Sequence, residues 1–179
     1  MKWLHAAIAL LFAGFTDAAS ASMARPPLDA FLAFANPRRC EQAPAHSKFL
    51  AAMVIGKGNF RLRPGQIRVP AKLRSAFGDI EMKRTKDWTK VRVPVRGTLF
   101  GLPLVEIEQD FPAGGDPPDV SYSFAAPTTV VERAAKRHGF LARAGHLVPL
   151  GAEGVYDISV YLASDPDHAG HSILTCGIG

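Results

Sequence analysis

Apolar residues recur along this chain at two intervals, and the change of interval divides it. Leu28, Phe31, Leu32 and Ala35 stand at i, i+3, i+4 and i+7, the spacing of one helical face. Asn36-Pro37 ends that predicted helix, because the residue before a proline avoids helical backbone. A second helix is predicted over 44–55, with Phe49, Leu50, Met53 and Val54 inward and Gly56-Lys57-Gly58 as its stop. Residues 57–77 follow neither period: Pro64-Gly65 marks a turn, 66–69 could form a short strand and 71–77 a helical turn. From Gly78 the interval becomes two. Ile80 and Met82 alternate with charges, and Val91, Val93 and Val95 alternate with Lys90, Arg92, Pro94 and Arg96, which spells strands wet on one side. Pro94 has no N–H for a ladder, so its strand has either an open edge or a bulge there.

Phe100-Gly101-Leu102-Pro103 reads as a tight reversal into a strand over 104–111, with Val105, Ile107 and Phe111 inward and Glu106, Glu108 and Asp110 outward. Pairing Arg96 with Glu106 would set Arg92 against Asp110, so part of the charge is expected to be matched across the two strands. A loop over 112–118, a strand over 120–124 and a helix over 127–138 follow. Pro127 suits a first helical turn, Thr129 and Glu132 have capping-box spacing, and Gly139 is placed to end the helix in the left-handed region. Residues 140–154 read as a loose stretch, then strands are expected over 155–162 and 172–176 around a turn at 164–170. Helices first, then a largely antiparallel sheet with one inserted helix, is an α+β pattern.

The N-terminus places this domain in the cell. Lys2, an apolar run from Leu4 to Phe15 and the small residues Ala19-Ser20-Ala21 have the order of a cleavable export signal, with a run too short to span a bilayer. Residues 1–21 are therefore expected to be removed, leaving 22–179 as a single domain of about 158 residues. The expected location is the periplasm, without membrane embedding. Cys40 and Cys176 fit no zinc spacing, and in an oxidising compartment they are expected to form a disulfide.

Charge is unevenly spread. Between Lys57 and Arg96 there are twelve Lys and Arg against three Asp and Glu, whereas 106–119 carries five acids and no base. Export argues against nucleic acid as the partner of this basic stripe and favours an acidic protein or an anionic envelope polymer. Arg84, Lys86, Lys90, Arg92 and Arg96 would supply the field, and Trp88 and Phe100 the aromatic anchors of a binding surface.

Motifs for chemistry are sparse. The chain has no GxSxG, HExxH or phosphate-binding glycine loop beyond the fragment at 56–58. Asp165, Asp167, His168 and His171 could offer mixed nitrogen and oxygen ligands to a divalent metal, but Asp-Pro-Asp followed by Gly is also turn chemistry. Glu106 and Glu108 could form a hydrolytic carboxylate pair, although basic neighbours are expected to keep both ionised. His46, His138 and His146 read as surface or cap residues. No cofactor and no enzymatic activity are expected.

The start LDAFLAFANPRRC, the hairpin VRVPVRGTLFGLPLVEIE and the ending ILTCGIG resemble, in architecture, the small periplasmic immunity proteins that protect bacteria from toxins delivered by type IV or type VI secretion systems. They also resemble periplasmic lysozyme inhibitors, likewise small, disulfide-bonded and sheet-rich. That resemblance implies occlusion: a rigid domain presents its basic hairpin to an acidic toxin. The alternatives are an envelope polymer binder for lipopolysaccharide or peptidoglycan, and a small periplasmic hydrolase.

Overall fold

A computed structural model of the chain describes residues 24–54 and 59–178. The expected export signal and the glycine stop at 56–58 lie outside them. In chain order the elements are β1 (Phe34–Asn36), β2 (Glu41–Gln42), α1 (Pro44–Met53), β3 (Phe60–Leu62), β4 (Ile80–Arg84), β5 (Trp88–Leu99), β6 (Leu102–Pro112), β7 (Asp119–Phe124), α2 (Thr128–Arg137), β8 (Leu147–Glu153), β9 (Tyr156–Ser164) and β10 (Ser172–Ile178).

Strands β3 to β10 form one antiparallel sheet in the order β3-β4-β5-β6-β7-β10-β9-β8. The first five make a meander. The chain then passes through α2 to the far edge, and β8 and β9 return inward until β10 seats between β9 and β7. Because facing residues in a ladder share a side of the sheet, the register defines two surfaces. One row runs Phe60, Met82, Val91, Gln109, Val120, Cys176, Val160 and Val148 across all eight strands. Beside it run Val93, Ile107, Tyr122, Leu174 and Leu162, every one of them buried. This is the core face. The polar Gln109 is accommodated because its Nε2 donates to the Leu50 carbonyl of α1 at 2.9 Å.

The opposite face reads Arg61, Glu81, Arg92, Glu108, Ser121, Thr175, Tyr161 and Leu147 in register, and these residues are exposed or half-buried. Ser121 and Thr175 hydroxyls bond to one another at 2.9 Å. Among the described residues the α+β class therefore holds in its coarse form, as two α-helices and a dominant antiparallel sheet, but the N-terminal helical layer does not form as expected. Leu28 and Leu32 make one turn, with the Leu32 N–H on the Leu28 carbonyl at 2.8 Å, and the chain then enters β1. The apolar spacing described a single turn only. The chain leaves the helical path at Ala33, whose carbonyl accepts from the Ala43 N–H (2.9 Å) as β1 pairs with β2. The Leu28 N–H on the Thr98 carbonyl (2.8 Å) and the Asp29 carboxylate on the Phe100 N–H (2.7 Å) fix the turn against β5.

Three further expectations change. The β5–β6 register carries a bulge between Pro94 and Gly97, so Pro94 faces Glu106, Arg92 faces Glu108 and Lys90 faces Asp110. Of the two readings of Pro94, the bulge is correct, since β5 is flanked by β4 and β6. At α2 the N-cap is Pro127 with no side-chain cap; Glu132 instead accepts from the Ala144 N–H at 3.0 Å and pairs with Lys136. Gly139 does adopt the left-handed region, with φ 91°. Finally, the stretch read as loose contains edge strand β8.

Cys40 and Cys176 form the disulfide, with Cα atoms 5.8 Å apart. It ties the end of the short 3-10 turn Pro37–Arg39 to the core face of β10. Among the described residues no helix is long and apolar enough to cross a membrane.

Candidate functional site

The basic residues separate into those matched by the fold and those left over. On the open face Lys90 Nζ lies 2.9 Å from Glu108 and 3.7 Å from Asp110, and Arg92 lies 3.9 Å from Glu81. Arg61 pairs with Glu81 and Asp79. Partial burial works against the charge of Lys90, but the two carboxylates outweigh it and hold its pKa above the ordinary lysine value. Lys83, Arg84, Lys86 and Arg96 have no carboxylate within 4 Å among the described residues.

Three of those four gather at the β4–β5 turn. Thr85 builds that turn: its N–H donates to the Trp88 carbonyl (2.8 Å), and its hydroxyl accepts from the Asp87 and Trp88 N–H groups at 3.3 and 3.2 Å. Arg84 is directed by its Nε on the Thr89 hydroxyl at 3.1 Å. Trp88 is half-buried, with Lys90 Nζ 5.7 Å from its ring centroid, within cation–π range. Trp88 lines a cleft of about 240 Å³ with Glu81, Met82, Lys83, Lys90 and Arg92. The structure thus brings Arg84, Lys86, Trp88, Lys90 and Arg92 to one end of the sheet.

It does not bring Phe100 there. Phe100 follows the last residue of β5, roughly 35 Å along the strand from Trp88, and only 7% of it is exposed. With Gly101 it makes a two-residue turn at φ 58° and 73°, the left-handed pair that hairpins favour. Its ring packs among Phe34, Phe124, Phe140 and His138, with centroids 4.8–6.4 Å away. Phe100 is therefore a core residue that closes one end of the fold, not an exposed anchor. Arg96 is exposed at the bulge, part-way between the two ends.

The carboxylates of β6 also differ from expectation. Glu108 is engaged by Lys90, whereas Glu106 is pushed above the usual carboxylate range, first by burial and then by the charge of Glu108. Glu106 is therefore not simply held ionised by its basic neighbours. Asp165, a distant contributor to that same shift, belongs to the β9–β10 turn, where one donor atom each of Asp165, His168 and His171 lies within 4.8 Å of the others. Asp167 stands outside that cluster; its N–H donates to Asp165 Oδ1 at 2.8 Å.

His46 is the residue the sequence reading misplaced most. It is fully buried, with Nδ1–H donating to the Ala33 carbonyl at 3.2 Å and Nε2 accepting from the Tyr122 hydroxyl at 3.1 Å. Burial raises the Tyr122 pKa in turn. The signal that could have found His46 was its place on α1, three residues before Phe49 and four before Leu50 on the inward face.

Comparison of the chain with family models, curated proteins and solved structures gives no match.

Proposed function

We propose that this chain is an exported binding protein that neutralises an antibacterial effector toxin by covering part of its surface. The observation that carries the reading is the β4–β5 end: a half-buried tryptophan in a small cleft that Lys83 also lines, with Arg84 and Lys86 at the same end of the sheet. None of the three cations lies within 4 Å of a carboxylate among the described residues. Cations that the fold does not neutralise raise the encounter rate with an acidic partner, and a desolvated aromatic at their centre slows release. The matched pairs on Lys90 and Arg92 hold the cleft in shape and contribute less to the outward field. Export and the periplasm belong to the same proposal, which the disulfide supports, because such bonds persist in oxidising compartments.

The test uses the mature, oxidised protein as bait for the secreted proteins of its host. One acidic protein retained in near-equal amount, and lost by at least about tenfold in affinity in the Lys83→Glu, Arg84→Glu, Lys86→Glu variant, is the expected result. A partner bound equally well by that variant would place the interface elsewhere. Retention on lipopolysaccharide or peptidoglycan with no protein partner would replace the toxin reading by polymer binding.

A further inference from the structure

The β9–β10 turn does more than reverse the chain. Its backbone is closed by hydrogen bonds, the Asp165 N–H to the His171 carbonyl and the His171 N–H to the His168 carbonyl, both at 3.1 Å. That closure holds three side chains at intervals of three residues on one loop. His168 Nδ1 lies 3.0 Å from Asp165 Oδ2, and the two imidazoles stack with centroids 5.3 Å apart and planes 23° from parallel. His171 Nδ1 is shut off from solvent and meets no hydrogen-bonding group among the described residues. A buried imidazole nitrogen without a partner is costly, and a histidine beside a carboxylate and a second histidine has an obvious one in a metal ion.

We propose that Asp165, His168 and His171 bind a divalent transition-metal ion of the zinc type. Two imidazoles and one carboxylate are the donors that borderline ions take, whereas magnesium and calcium are bound through oxygen. Ligand bonds of about 2.0–2.1 Å put tetrahedral donors roughly 3.4 Å apart; Asp165 and His168 are already at 3.0 Å, and side-chain rotation in this exposed turn can narrow the overall spread from 4.8 Å. The ion takes over the contact that now joins Asp165 and His168. Three protein ligands leave a fourth position for water or for an outside donor. This site lies apart from the cleft at Trp88 and stands independently of the toxin-binding proposal.

Titration calorimetry with zinc chloride on the chelator-stripped, oxidised protein tests it. Binding of one ion per chain is expected, weakened at least about tenfold by His168→Ala and by His171→Ala singly and lost when both are changed, with no uptake of magnesium. His146→Ala, outside the turn, should leave binding unchanged. Cobalt(II) added to the wild-type protein should give the visible absorption of a four-coordinate site, absent from the double variant. His168 is an exposed side chain, so its variant folds and reports on binding alone. No zinc uptake by the wild-type protein, or equal uptake by the double variant, overturns the proposal.

Discussion

His46 shows how one buried side chain sets a pH limit. Its neutral form is fixed by two partners: the Ala33 carbonyl requires a proton on Nδ1, and the Tyr122 hydroxyl requires a lone pair on Nε2. Burial lowers its pKa from 6.5 to about 4, against the opposing pull of the Ala33 hydrogen bond. Between those two values the unfolded chain takes up a proton that the folded chain refuses. Stability is therefore fully present above about pH 6.5 and falls as the pH drops towards 4, by up to about 3 kcal/mol from this group. Urea unfolding at pH 7.5 and 4.5 should show the loss, and His46→Gln, which keeps hydrogen-bonding capacity but does not titrate, should lose less over the same interval. Equal losses in the two proteins would mean that the pH response comes from other groups.

At the scale of elements, the crossing of the N-terminal segment over β5 has the narrowest tolerance. Pro26 and Leu28 bond to both sides of Thr98, which draws the segment against Gly97. A Cβ on Gly97 would stand 2.4 Å from Leu28 Cδ1 and 3.1 Å from the Pro26 carbonyl oxygen. Leu28 is wholly buried and has nowhere to move, so Gly97→Ala should cost roughly 1–3 kcal/mol. Gly65→Ala, with nothing within 4 Å of its Cβ, is the control, and thermal melts of the two variants decide it. The same crossing explains what the sequence pattern could and could not convey. Strands β4, β5, β6, β9 and β10 were legible because alternation along a strand is a local property, and α2 was legible from its punctuation at Pro127 and Gly139. The segment around Leu28 was not, because its conformation depends on Thr98 and Phe100, some seventy residues away. Strand β8 was hidden because its exposed Leu147 and Pro149 are as apolar as its half-buried Val148 and Leu150, so the alternation in burial is not spelled in the residues. At the candidate site, the cluster of cations was visible in the sequence. Which of them are neutralised was not, since the turn at Phe100-Gly101 and the bulge near Pro94 together set Arg92 against Glu108 and Lys90 against Asp110 and leave Arg96 in the bulge.

Across the whole molecule, the Cys40–Cys176 bond joins residues 136 positions apart. In the chain-entropy picture, closing a loop of that length stabilises the fold by about 5 kcal/mol, and removal of such a bond from a small exported domain typically costs 2–5 kcal/mol. The Cys40→Ser, Cys176→Ser variant should unfold at a correspondingly lower urea midpoint, and reductant should lower the midpoint of the native chain but not of the variant. A reductant-insensitive native chain would show that the bond contributes nothing to equilibrium stability.

The position of β10 has a consequence for the order of assembly. The sheet is two meanders, β3–β7 and β8–β9, that meet only through the last strand of the chain. A chain emerging N-terminus first presents five strands whose inner edge, β7, has no neighbour until β10 is released. For that interval an unpaired strand edge is open to any passing extended chain, and cysteine 40 waits for a partner that arrives last. Completion of the sheet and formation of the cross-link thus coincide, at the end of delivery.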